Sequence, residues 1–123
     1  MKIVTGFKQD SISSIKLKVL RFNIDKEYFK VDIGFTYGEN NILNITDDII
    51  LYSETSEFKL IKSTDLEINT DVVLKSKIDY KYFSLYFEPL LKNEESLFLY
   101  QEKGTDISII ISNIVKYYSI DEN

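Results

Sequence analysis

The chain has 123 residues but contains no cysteine, histidine, tryptophan or alanine, and it has only one proline and four glycines. The absence of cysteine excludes disulfides, thiolate metal sites and cysteine nucleophiles. The absence of histidine removes the usual general base and the commonest metal ligand. The glycines form no phosphate-binding loop, dinucleotide fingerprint or nucleophile elbow. We therefore expect a protein that is not an enzyme and that has no catalytic residues, no metal site and no cofactor.

The residues used in place of alanine favour strands over helices. Alanine is the best helix former, whereas isoleucine, tyrosine and phenylalanine suit strands and number eighteen, nine and eight here. We interpret part of this excess as the codon bias of an AT-rich genome, and we expect a bacterial source. With 44% hydrophobic and 28% charged residues, we expect residues 1–123 to form a single globular domain whose tail, residues 119–123, is frayed.

The charge is acidic overall but unevenly distributed. The net charge is −5, yet residues 1–30 have seven basic and three acidic residues (net +4), whereas residues 31–123 have eight and seventeen (net −9). An acidic chain argues against nucleic-acid binding, because phosphate contacts need clustered Lys or Arg. Lys16, Lys18 and Arg21 could form one positive strip, which we interpret as a solvated strand face.

The apolar segments are too short to span a membrane, and no signal peptide is visible. We therefore expect a soluble, cytoplasmic protein without membrane contact. A signal sequence removed beforehand would leave the same chain.

Hydrophobic periodicity is mostly two residues, as in half-buried antiparallel strands. The segment EYFKVDIGFTY (27–37) alternates in this way throughout. In IKLKVLRFNI (15–24) the alternation slips by one residue after Val19, which indicates a bulge or a strand that leaves one sheet for another. Short apolar segments separated by turn-forming residues follow as far as residue 111. The pattern predicts an all-β, antiparallel β-sandwich of about eight to nine short strands.

The segment ISIIISNIV (107–115) is uncharged and β-prone, so it would aggregate as an exposed edge. We expect it to be a central or covered strand. The alternative is a homo-oligomer formed through this strand. The spacing of Ile111, Ile114, Val115 and Tyr118 is helical, but these residue types are indifferent helix formers. We favour a final strand that frays from Asp121, and the choice between strand and helix for 111–120 stays open.

The segment YKYFSLYFE (80–88) has one apolar and one tyrosine-rich face. Phe83, Leu85 and Phe87 are predicted core residues, and the tyrosines stand on the opposite face. Pro89 cannot donate to a strand ladder, so it ends the strand. The following residues are interpreted as the crossover to the other sheet, and the core resumes at Leu97.

The tyrosine row is the candidate interaction surface of this sequence. Tyrosine is enriched at interfaces because it offers a large contact area for little loss of entropy. The alternative is ordinary cross-strand packing in a tyrosine-rich sheet. The predicted partner contacts are the three tyrosines and nearby acidic residues: Tyr80, Tyr82, Tyr86, Glu88, Glu94 and Glu95.

At residues 46–111 the order of these signals resembles small immunoglobulin-like β-sandwich domains of bacteria, particularly uncharacterised ones of the Bacteroidetes. The likeness rests on the motif F-x-L-x-F-E-P-L from Phe83 to Leu90, followed by a Leu-x-Leu strand. The resemblance implies an immunoglobulin-like sandwich in which the proline-containing connection joins the two sheets. It covers about half of the chain and implies no catalytic residues.

These observations favour a non-enzymatic protein-binding module, such as an immunity protein, an inhibitor or an assembly subunit. It would dock another protein through an acidic, tyrosine-bearing sheet face. One alternative is a sandwich that binds carbohydrate, or calcium on loops rich in Asp and Glu such as 65–71. The lack of tryptophan weakens the carbohydrate interpretation. The other alternative is a purely structural subunit whose sheet is completed by a neighbouring strand.

Overall fold

The computed structural model describes residues 2–12 and 15–114, and every regular element in these residues is a β-strand. The prediction of an all-β, antiparallel chain is confirmed, although the strands number eleven in the described residues. The two strands nearest the N-terminus account for part of the difference, because the first has only three residues and the second, KQDS, is polar. The strands are β1 (Lys2–Val4), β2 (Lys8–Ser11), β3 (Leu17–Ile24), β4 (Phe29–Thr36), β5 (Ile42–Leu43), β6 (Ile50–Tyr52), β7 (Glu57–Thr64), β8 (Val72–Val73), β9 (Tyr80–Phe87), β10 (Leu97–Gln101) and β11 (Ile107–Ser112).

Nine strands form one large curled sheet in the order β1-β3-β4-β9-β7-β6-β10-β11-β2, and β5 pairs separately with β8. The sheet has two halves because β7 changes partner along its length. Its first part, Glu57–Lys59, pairs with β6, and its second part, Leu60–Thr64, pairs with β9. We call the part from β1 to β9 the first half and the part from β6 to β2 the second half. A register shift between Leu60 and Lys62 marks the point where β7 passes between them.

The predicted slip in β3 is a β-bulge. The pairing of β3 with β4 shifts register between Val19 and Arg21, so two residues of β3 stand where β4 has one. As a result Val19 and Phe22 are both buried, whereas Leu20 and Arg21 between them are both exposed. The bulge therefore directs Arg21 to the outer surface, opposite Asp32 of β4.

The core lies inside the curl and is one continuous hydrophobic cluster. The alternating residues of β4 and β9 are buried as predicted, and β10 contributes Leu97 and Leu99. Aromatic rings pack against one another within this core. The centroid of the Phe22 ring lies 4.6 Å from that of Phe7 and 4.9 Å from that of Phe29. These contacts fix which face of each strand points outward.

The β9–β10 connection has the predicted course. Strand β9 ends at Phe87, two residues before Pro89, and the chain then passes from the first half of the sheet to β10 in the second half. The segment after Pro89 is thus a crossover, but it joins two halves of one continuous sheet and not the two separate sheets that the sequence predicted.

Strand β11 is central, lying between β10 and β2. Ile107, Ile109 and Ile111 are fully buried. Strand β10 pairs with 107–111 and β2 pairs with 109–112, so the expectation of a covered strand is met there, and a homo-oligomer through 107–115 stays a prediction. The predicted tail at 119–123 and most of the segment for which strand and helix stayed open lie outside the described residues.

The Gln9 side chain links the two ends of the curled sheet. Strand β1 pairs only with the last part of β3, and the first part of β3 faces β2. There the Gln9 carboxamide accepts a hydrogen bond from the Val19 backbone N–H and donates one to the Val19 carbonyl, both at 2.8 Å. An amide side chain offers the same donor and acceptor as a peptide group, so Gln9 takes the place of a ladder pair between β2 and β3.

We expect Gln9→Ala to lower the free energy of unfolding by about 1–2 kcal/mol, because both backbone groups of Val19 lose a partly buried partner. Urea denaturation measures this change. The control is Lys8→Ala, which alters an exposed position of the same strand and should stay within about 0.5 kcal/mol of the parent. Equal stabilities of the two variants would show that Gln9 does not close the sheet.

Candidate functional site

The predicted tyrosines lie on the outer surface of the first half of the sheet. Cross-strand partners share a face, so the registers of β3, β4, β9 and β7 define three rows of outward side chains. We call this surface the tyrosine face. Its rows are Lys18, Gly34 and Tyr82; Arg21, Asp32, Ser84 and Thr64; and Asn23, Lys30, Tyr86 and Lys62, with Tyr80 at the adjacent end of β9.

Tyr80 and Tyr82 form an exposed aromatic pair. Their side chains are 61% and 57% exposed, and their ring centroids lie 4.8 Å apart. Tyr82 is seated on Gly34, because a Cβ added at that glycine would lie 3.2 Å from the Tyr82 Cε1 atom. Because Gly34 has no side chain, the Tyr82 ring can pack against the backbone of the sheet, while more than half of Tyr82 stays exposed to solvent.

Tyr86 is only partly exposed and has neighbours on every side. The Tyr28 ring stands nearly perpendicular to it at 5.0 Å, and the Nζ atoms of Lys62 and Lys30 lie 4.7 Å and 5.5 Å from its ring centre. These are cation–π distances. Cross-strand packing therefore accounts for Tyr86, whereas Tyr80 and Tyr82 keep free surface.

The tyrosine face is basic, and the prediction of an acidic tyrosine-bearing face is wrong. Its outward positions carry Lys18, Arg21, Lys30 and Lys62 against one carboxylate, Asp32. A second carboxylate, the exposed Asp65, lines the depression beside Tyr82. Three of these four basic residues belong to the basic segment 1–30, which β4 brings beside β9. Neighbouring charges along the sequence of β9 did not reveal this arrangement, because β3 lies some sixty residues earlier in the chain.

The predicted acidic contacts do not lie beside the exposed tyrosines. Glu88 follows the opposite end of β9, about 20 Å from Tyr82 at the usual rise per strand residue. Its Oε1 atom accepts a hydrogen bond from the Lys59 backbone N–H at 2.8 Å. Glu94 is buried, being only 6% exposed, whereas Glu95 is exposed. The six predicted contacts thus divide between two ends of β9.

Asp32 is a buried carboxylate at the centre of the tyrosine face, 5% exposed. Its Oδ2 atom accepts hydrogen bonds from Arg21 Nε at 2.6 Å and from Asn23 Nδ2 at 3.0 Å. Its Oδ1 atom accepts one from Ser84 Oγ at 2.6 Å and lies 3.7 Å from Lys30 Nζ. Sequence reasoning treated Asp32 only as a polar position in an alternating strand and missed this cluster.

The environment of Asp32 keeps it ionised. Burial alone would raise its pKa, but the hydrogen bonds from Ser84 and Arg21 and the charges of Lys30 and Arg21 together hold the pKa below its ordinary value of 3.8. The bond to Asp32 uses Arg21 Nε, so this guanidinium is held in place while its side chain remains 55% exposed. The cluster therefore positions a positive group on the surface.

A groove lies at the opposite end of β9, with a volume of about 530 Å³. It lies between the start of β7 and the β9–β10 connection, and we call it the acidic groove. Leu91 stands on it with 87% of its surface exposed. The lining residues are Ser56, Glu57, Phe58, Glu88, Pro89, Leu91, Lys92 and Glu94.

The loops named for calcium, such as 65–71, lie within the part of the chain that the structure describes. No group of three or more Asp and Glu side chains there is arranged to hold a metal ion. Asp71 instead accepts a hydrogen bond from Asn44 Nδ2 at 2.8 Å. The described residues also include no helix that is long and apolar enough to cross a membrane.

Comparison of the chain with known protein families, curated proteins and solved structures yields no match. The tyrosine face and the acidic groove are therefore the features that bear on function.

We expect Asp32→Asn to lower the free energy of unfolding at neutral pH by about 1–3 kcal/mol, because a charge-assisted hydrogen-bond cluster is lost. A carboxyl whose folded-state pKa is depressed contributes stability above its unfolded-state value and loses it as the pH falls through the folded-state pKa. The difference between parent and variant should therefore be full above about pH 5 and shrink as the pH falls below 3.8. Urea denaturation from neutral pH to about pH 3 measures it.

Ser84→Ala is the companion variant, because it removes one donor and keeps the carboxylate. It should raise the pKa of Asp32, measured by carboxyl ¹³C NMR titration. A pKa that does not move, together with a pH-independent deficit in Asp32→Asn, would contradict the described cluster.

Proposed function

We propose that the chain is a non-enzymatic protein-binding module that docks an acidic surface of another protein on its tyrosine face. The observation that carries this proposal is the exposed Tyr80–Tyr82 pair within a surface of four basic residues and two carboxylates, of which Asp32 is neutralised by its partners and Asp65 is exposed. An immunity protein, an inhibitor or an assembly subunit would each use such a surface.

The tyrosine pair has the properties of a binding anchor. Tyrosine combines a large contact area with few rotatable bonds, so docking on it costs little side-chain entropy. Tyr82 is further restricted because its ring rests on Gly34. Residues of this kind commonly contribute about 2 kcal/mol or more to an interface when a partner covers them fully.

The surrounding charges define the partner. Lys18, Arg21 and Lys62 are exposed around the tyrosine rows and complement carboxylates on an opposing surface. Because the chain as a whole carries −5, an acidic partner is repelled by most of the molecule and attracted at this face. Such complementarity orients the encounter and accelerates association more than it tightens binding.

The immunoglobulin-like arrangement inferred from the sequence belongs to this proposal. The passage of β7 between two half-sheets and the crossover after β9 support it. A sheet held in this way presents the tyrosine face as a rigid surface rather than as a loop.

Affinity capture from the native host, followed by mass spectrometry, tests the proposal with three baits. We expect a partner to be retained by the parent chain, lost from Tyr80→Ser/Tyr82→Ser, and retained by Tyr52→Ser/Tyr100→Ser. The last variant removes two tyrosines from the second half of the sheet. Retention should weaken as ionic strength rises from about 0.05 to about 0.5 M, because exposed charges are then screened.

Two results would overturn the proposal. One is an identical set of captured proteins for the parent and Tyr80→Ser/Tyr82→Ser baits. The other is retention that nuclease treatment abolishes, since basic surfaces with exposed aromatic rings also bind single-stranded nucleic acid.

A further inference from the structure

The acidic groove carries a second inference, independent of the Tyr80–Tyr82 pair because the pair and the groove lie at opposite ends of β9. Its floor is apolar: Phe58 is buried, Pro89 is partly buried and Leu91 is almost fully exposed. Its charged lining has three carboxylates and one ammonium group, from Glu57, Glu88, Glu94 and Lys92. A groove with apolar walls and excess negative charge suits a ligand that joins a hydrocarbon stem to a cation.

Glu94 is the residue that points to a ligand. It is 94% buried, corresponding to the 6% that remains exposed, and it lines the groove. Among the described residues its carboxylate has neither a hydrogen-bond nor an ion-pair partner. The Glu94 oxygens are not among the fully buried polar atoms without a partner, of which the described residues include one, Asn44 Oδ1, so the carboxylate still reaches solvent. A carboxylate that is mostly removed from water is stabilised by a donor or a positive charge, and the groove is the open side from which such a charge can arrive.

Two hydrogen bonds fix the position of Glu88 at the edge of the same groove. Its backbone N–H donates to the Lys59 carbonyl at 3.0 Å, and its Oε1 atom accepts from the Lys59 N–H at 2.8 Å. This pair of bonds fixes Glu88 on β7 beyond the end of β9 and leaves Oε2 without a bond to the described residues. Two carboxylates from the connection thus line one groove, one fixed at its rim and one buried.

We propose that the acidic groove binds the Lys or Arg side chain of a basic peptide segment in a partner protein, with apolar residues beside that side chain. The ammonium or guanidinium group pairs with Glu94, while its methylene stem and the apolar neighbours cover Phe58 and Leu91. This ligand has the opposite charge to the surface bound at the tyrosine face, so one chain can hold two partners or two regions of one partner.

NMR titration of the ¹⁵N-labelled chain with two capped tripeptides tests the proposal. The first probe is acetyl-Leu-Arg-Leu-amide, and the second replaces Arg with citrulline, which keeps the shape and removes the charge. We expect saturable shifts at Phe58, Leu91 and Glu94 with the Arg peptide, and an affinity about tenfold lower for the citrulline peptide.

Two matched variants assign the effect to the buried carboxylate. Glu94→Gln should bring the two peptides to nearly equal affinity, whereas Glu95→Gln removes the same charge from the exposed neighbour and should preserve the preference for Arg. Thermal melting confirms that both variants fold. Tyr80→Ser/Tyr82→Ser should bind the Arg peptide as the parent does, which separates this site from the proposed function.

Three results would overturn the proposal. They are the absence of saturable shifts at the groove, equal binding of the Arg and citrulline peptides by the parent, and an Arg preference that survives Glu94→Gln or is lost equally in Glu95→Gln.

Discussion

The arrangement of the tyrosine face depends on one buried carboxylate. Asp32 accepts hydrogen bonds from Arg21 and Asn23 of β3 and from Ser84 of β9, and it forms an ion pair with Lys30 of its own strand. A negative charge is unusual at a buried position, and here its surplus of donors outweighs the cost of burial. The cluster connects three adjacent strands on their outer side, opposite the hydrophobic core, so the same strands are held together on both faces.

The bulge in β3 and the glycine in β4 complete this arrangement. The bulge is what places Arg21 opposite Asp32, and Gly34 is what allows the Tyr82 ring to lie against the sheet. Together they produce a surface of fixed charges and fixed rings on strands rather than on loops. Strand β9 then separates this basic surface from the acidic groove at its other end, so a chain of net charge −5 presents both signs of charge to its partners.

The sequence alone predicts what depends on local alternation. The buried faces of β4 and β9, the slip after Val19 and the crossover after Pro89 all follow from two-residue periodicity and proline chemistry. Strands β1 and β2 escape prediction because β1 has only three residues and β2 is polar, and both are edge strands formed by pairing with β3 and β11. The sequence also does not predict the sign of the charge around Tyr82. That sign depends on which strands, distant in sequence, lie beside β9.

Burial of Glu94 is the other feature that the sequence does not reveal. A pair of glutamates after a proline is typical of a solvated connection, and Glu95 is indeed exposed. The connection between half-sheets turns one glutamate of the pair inward, and only the path of the backbone decides which one. Sequence reasoning thus identified the region of both sites but joined them into one surface of the wrong charge.

The central claim is that positive and negative surfaces occupy opposite ends of β9. Paramagnetic relaxation of backbone amides by small anionic and cationic soluble probes measures this directly, residue by residue. The account predicts that the anionic probe relaxes amides around Lys18 and Tyr82 more strongly, and that the cationic probe relaxes amides around Glu57 and Leu91 more strongly. If the ratio of relaxation by the anionic probe to relaxation by the cationic probe were the same at both ends of β9, the central claim would be contradicted.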